Sequence, residues 1–159
     1  MRMHTGLGHT LGSLSWTCMI IVILLPGYAC AALGGDMASV DADQAAMNAS
    51  ERITASSESY TVYELRVSTG TSVREYLSLD GKVFAVGWKG PLLPDLRLIL
   101  GDYFKLYAES SPDQQGGHGH RRINRPDLVV ESNGRMRAFF GHAYLPQSMP
   151  PDVAVSDIR

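Results

Sequence analysis

The sequence predicts an α+β domain: a mainly antiparallel sheet of about five strands with one amphipathic helix packed on a face. Three observations lead there. Short runs rich in Val, Tyr, Leu and Phe alternate with turn residues between Tyr60 and Trp88. Asp80-Gly81 and Asn133-Gly134 stand where hairpins would turn, and Leu96 to Tyr107 carries an apolar stripe at three-and-four spacing.

The chain opens with a basic, polar lead-in (Arg2, His4, His9), an apolar run from Leu14 to Leu25, the helix breaker Pro26-Gly27 and the small-residue stretch Ala29-Cys30-Ala31. That order describes a secretory signal peptide over residues 1–31, cut after Ala31. The apolar run falls short of the ~20 residues that cross a bilayer as a helix, so the cleaved chain is expected not to span a membrane. Gly27 and Tyr28 fit a lipidation motif at Cys30 poorly. Cleavage removes both cysteines, Cys18 and Cys30, so thiol catalysis, Cys-type zinc sites and disulfides are excluded from the remainder. Residues 32–159 suffice for one domain. A periplasmic or secreted location follows.

Residues 32–59 are small and polar and read as an N-terminal segment, with a short helix capped by Ser39 and running to about Ala46. Asp41 and Asp43 would lie solvated in its first turn, where the helix dipole favours carboxylates. Strands are then predicted at Tyr60–Val67, Ser72–Leu79 and Lys82–Trp88. With Asp80-Gly81 as a two-residue type I′ loop, Leu77 faces Phe84, Glu75 faces Val86 and Val73 faces Trp88. Val73, Leu77, Phe84, Val86 and Trp88 would share one buried face, and Arg74, Tyr76 and Ser78 the other.

A helix is predicted from Asp95 to Ser110, with Leu96, Ile99, Leu100, Tyr103, Phe104 and Tyr107 as its apolar stripe and Gly101 weakening its centre. Residues 112–126 read as a flexible Gly-rich loop. A last hairpin joins Leu128–Ser132 to Arg135–Leu145 through Asn133-Gly134, and places Phe139 and Phe140 on opposite, covered faces. Residues 146–159, with Pro150-Pro151, read as an irregular tail.

Ala32-Leu33-Gly34-Gly35, the stretch from Gly81 to Leu96 and the stretch from Met136 to Tyr144 together resemble a family of small exported Gram-negative bacterial proteins catalogued only as a domain of unknown function. The resemblance covers nearly all of residues 32–159 and implies export and a single domain, but supplies no activity or catalytic residues. Tyr60 to Val83 also resembles, faintly, the PepSY type of extracytoplasmic domain: a strand, a Gly-Thr turn and a strand ending in Asp-Gly-Lys-Val.

Function is constrained mainly by exclusion. Gly-x-Ser-x-Gly, His-Glu-x-x-His, phosphate-loop and dinucleotide fingerprints are absent from the sequence. Arg2 is one of 14 basic residues against 16 acidic ones, so the chain without its leader is mildly acidic. The single basic cluster, His120-Arg121-Arg122 with Arg125, is too small for a nucleic-acid face. His118 and His120, with His142 or a carboxylate, form the sharpest metal-binding constellation, but two His in a Gly-rich loop read first as solvated, and His142 as a strand residue. No metal or cofactor is therefore expected. Arg135, Arg137 and Tyr144 mark a candidate interaction surface. The reading is a non-catalytic exported envelope protein that binds another protein or a small ligand. Its alternatives are an extracytoplasmic peptidase inhibitor or modulator, through the PepSY likeness, and a metal-binding protein, through the His118/His120 loop.

Overall fold

The alternation from Tyr60 onward becomes a sheet whose register two loops of the same kind decide. The computed structural model describes residues 33–110 and 119–158, which leaves the predicted leader, both cysteines and His118 outside it. Helix α1 (Met37–Ala46) leads into β1 (Ala49–Ser56), β2 (Tyr60–Val67), β3 (Ser72–Ser78) and β4 (Val83–Gly90). After α2 (Leu96–Leu100) and α3 (Phe104–Glu109) come β5 (His120–Asn124), β6 (Val129–Arg135) and β7 (Ala138–Tyr144). The strands form one sheet in the order β1-β2-β3-β4-β7-β6-β5, every neighbouring pair antiparallel.

The sheet has seven strands where about five were expected. The additional two, β1 and β5, are its edges. Residues 32–59, expected to be a polar segment with a short helix, contain α1 and β1; the expected loop at 112–126 contains β5. An edge strand buries little, so its sequence carries weak alternation: β1 is exposed from Ser50 to Ser56, and β5 buries only Ile123. The N-terminal helix also starts earlier than expected, because Asp36, not Ser39, is its cap and accepts from the Ser39 amide at 3.3 Å.

The β2–β3 and β3–β4 loops each have three residues. Gly70 and Gly81 take left-handed φ of 85° and 73°, and each closes a turn onto the residue three before it. Asp80 does not join Gly81 at positive φ, so the expected two-residue type I′ turn does not form. Ser78 therefore meets Lys82, and Leu77 meets Val83 rather than Phe84. A bulge at Phe84 restores the predicted pairs Glu75–Val86 and Val73–Trp88. Phe84 turns to the opposite face as a result, where its ring meets Tyr60 at 6.1 Å and Tyr76 at 6.2 Å.

The last hairpin also turns elsewhere than expected. Arg135 pairs with Ala138, and the loop is Met136-Arg137, with Arg137 at φ 61°. Gly134 lies inside β6 because the Phe139 ring needs the space: a Cβ there would come within 2.4 Å of Phe139 Cδ1. Phe140, expected under cover, is 53% exposed.

Two layers sandwich the sheet. The predicted continuous helix breaks at Gly101, whose φ of 51° and ψ of −127° turn the chain through a 3-10 segment before α3. Leu96, Ile99, Leu100 and Tyr107 still reach the inner face, where they meet Val73, Val86, Trp88 and Val130. The described residues after Pro146, expected to be irregular, include a 3-10 turn (Val155–Asp157) and form a cover: Val153 and Ile158 seal Tyr76 and Phe84 on the outer face, and Tyr76 Oη donates to the Asp157 carbonyl at 3.3 Å.

Trp88 lies at the join of the two meanders, 2% exposed, with its ring across Gly141. A Cβ at Gly141 would fall 2.5 Å from Trp88 Cζ2 and 2.3 Å from the Glu131 carbonyl. In the chain starting at Ala32, where Trp88 is the sole tryptophan, its emission should be blue-shifted and poorly quenched by iodide. By urea unfolding, Trp88→Ala should cost about 3–5 kcal/mol and Gly141→Ala about 1–3 kcal/mol.

Candidate functional site

Strand parity sends Glu75 inward between Val73 and Leu77, and helical spacing puts Asp43 on the same face of α1 as Val40. The two carboxyls meet between α1 and the sheet. Asp43 is 0% and Glu75 1% exposed. Glu75 stands opposite Tyr63 on β2 and Val86 on β4. Arg52 of β1 lies 5.7 Å above the Tyr63 ring and forms an ion pair with Asp41 at the rim. Asp41 is exposed as expected; Asp43 is not, because it lies beyond the first turn of α1 on the face that Val40 turns to the sheet.

Burial pushes the Glu75 carboxyl up to about 9, the Asp43 charge and the hydrogen bond between the two carboxyls add to the rise, and Arg52 opposes it. A hydrogen bond between two carboxyls requires that one hold a proton. Burial of both carboxyls disfavours two charges at this contact and favours a protonated Glu75. Sealed from solvent, the pair is placed to govern how α1 sits on the sheet rather than to act on a substrate.

The predicted site residues do not converge. His118 lies outside the described residues. His120 is exposed at the start of β5 and its Nδ1 bonds with Asn133 Oδ1. His142 lies on the outer face of β7, stacked on Tyr144 with ring centroids 6.0 Å apart. Burial lowers the His142 pKa; Glu131 opposes that and Arg122 adds to it. Among the described residues no three metal-ligating side chains gather. Arg135 and Arg137 flank the hairpin tip instead of projecting together from one strand, with Met136 93% exposed between them. Tyr144, at the other end of β7, packs against the Tyr76–Phe84 cluster and so does not belong to their surface.

What shares one face is a row running across the sheet: Glu64, Arg74, Gly87, His142, Glu131 and Arg122 are successive cross-strand neighbours on its outer side. Arg74 Nε donates to Glu64 at 2.7 Å, and Arg122 Nε lies 3.0 Å from Glu131. Burial works against the Glu64 anion, yet Arg74 and Arg66 hold its pKa below the ordinary value. The next row carries Arg66, Ser72, Lys89, Phe140, Asn133 and His120. Beside Phe140 a shallow cavity of about 440 Å³ opens between β5 and the β6–β7 hairpin, lined also by His120, Asn133 and Arg135.

Sequence reasoning missed the Asp43–Glu75 pair, although a carboxylate at an inward parity position between Val73 and Leu77 was a signal for half of it. Asp43 had none, since which face of α1 meets the sheet is a tertiary fact. Arg121 is a second omission: its guanidinium lies 4.2 Å over the Tyr107 ring and donates to the Ser110 carbonyl at 2.8 Å, tying β5 to the end of α3.

The acid pair sets a pH dependence. Glu75 takes up its proton more tightly folded than unfolded, so its contribution is whole below about pH 4.5 and is lost as pH rises toward 9. Urea midpoints should fall between pH 5 and pH 9, and Glu75→Gln, which keeps a donor without a titrating proton, should flatten the fall.

No curated protein and no solved structure matches the chain. The profile of a family described as proteins of unknown function, DUF2844, matches residues 29–158 and so spans all the described elements. With that share of its length matched, the chain belongs to the DUF2844 family.

Proposed function

We propose that the chain is exported, freed of its leader after Ala31, and works outside the cytoplasm as a non-catalytic binding protein for another protein or a small ligand. The observation that carries this reading is Phe140. It stands on β7, which has strands on both sides, and its ring is 53% exposed between Lys89 and Asn133. The C-terminal segment covers the aromatic side chains at one end of this face and leaves Phe140 beside the charged row at the other. An exposed aromatic beside the paired charges Glu64–Arg74 and Glu131–Arg122 suits recognition better than chemistry. Support for the cut comes from Leu33, which is 4% exposed and donates to the Ile99 carbonyl at 3.1 Å, so cleavage after Ala31 leaves the packed domain whole. The protruding tip at Met136 favours a second reading, an inhibitor or modulator that inserts this turn into a peptidase cleft.

A photo-crosslinking residue at position 140, in cells exporting the protein, should give a discrete adduct, while the same residue at exposed Leu79 should not. Phe140→Ala should abolish the adduct partner's binding and change stability by less than about 0.5 kcal/mol. The intact mass should begin at Ala32 without lipid. An uncleaved chain, or a lipid on Cys30, overturns the export route, and adducts at 79 but not 140 overturn the surface. Protection of 136 rather than 140 by a bound peptidase favours the second reading.

A further inference from the structure

We propose that α1 is a latch held on the sheet by one proton shared between Asp43 and Glu75, and that losing this proton lifts α1 and uncovers the inner face of β2 and β3. The apolar grip of α1 is small: of its buried residues Ser39, Val40 and Asp43, Val40 alone is hydrophobic, aided by partly buried Met37. Its flanks are anchored independently. On one side Leu33 donates to Ile99, and Gly34 and Gly35 exchange backbone hydrogen bonds with Val83. On the other the chain turns through Asn48, at φ 50°, into β1, which pairs with β2. The helix can therefore swing between two fixed points while the ladder from β2 to β4 stays closed.

Among the described residues, these side chains stand at the pair. On α1 these are Asp43 itself and Asp41; from β1 comes Arg52, and from β2 Tyr63; β4 presents Val86. Once both carboxyls ionise, Arg52 is the available countercharge, and Asp41 already holds it at the rim. Two like charges in a water-free contact repel and lack hydration. Glu75 is fixed in a strand paired on both sides, so relief comes by moving Asp43, and α1 with it, into water.

Hydrogen exchange on the chain starting at Ala32, at pH 6 and pH 9.5 and corrected for intrinsic rates, tests this. Protection of the amides of Met37–Ala46 should fall at least tenfold at the higher pH, while those of β3 and β4 hold. Glu75→Gln should remove the pH response of α1. Equal protection of α1 at both pH values overturns the latch, as does loss of β3 and β4 in step with α1, or an unchanged response in Glu75→Gln. Should that variant fail to fold, carboxyl carbon-13 titration of the wild-type chain decides: one proton kept by the pair at pH 7 supports the proposal, and two fully ionised carboxyls overturn it.

Discussion

Everything in this fold depends on the pairing of β4 with β7. The chain makes two meanders, β1 to β4 and β5 to β7, and neither buries both faces of its own strands. Their union puts β4 in the interior, with every residue from Val83 to Trp88 buried. The contact is close because Gly141 has no side chain: the Trp88 indole lies where a Cβ would be, and the Glu131 carbonyl of the next strand approaches the same point. One large ring against one absent side chain thus aligns four strands on one side of the join with three on the other.

The bulge at Phe84 converts that single sheet into a fold with two cores. Without it, Phe84 would follow Leu77 inward and crowd the helical layer. With it, Phe84 joins Tyr60 and Tyr76 outside, and the C-terminal segment gains an apolar surface to close over. A tail without strands or a long helix thereby becomes structural, because it shields aromatic area that would otherwise face water. The same segment stops short of the Glu64-to-Arg122 row and of Phe140, which is why the outer face has a sealed end and an open one.

The inner layer carries the opposite exception, two carboxyls in a place that apolar side chains could fill. In the proposed latch their burial is tolerable because one shared proton removes a charge and supplies the hydrogen bond that an isolated carboxylate would lack. This makes the seating of α1 conditional, whereas α2 and α3 are held by Leu96, Ile99, Leu100 and Tyr107 and by the Arg121 clamp. The two helical segments therefore differ in what holds them: protonation for one, hydrophobic area for the other.

By itself the sequence determined the interior strands β2, β3, β4, β6 and β7, the pairs Val73–Trp88 and Glu75–Val86, and the apolar stripe from Leu96 to Tyr107, because these are local: periodicity and turn residues act over a few positions. Family membership was equally legible, being a property of the residues. Tertiary structure decided the rest. Edge strands β1 and β5 were invisible since pairing on one side leaves a polar sequence free to form them. Asn133-Gly134 misled because a glycine can serve a neighbouring ring as well as a turn, and Gly134 serves Phe139. The Asp43–Glu75 pair required knowing which side of a weakly amphipathic helix would meet the sheet, and that is settled by contacts between residues far apart in the chain, which no local pattern encodes.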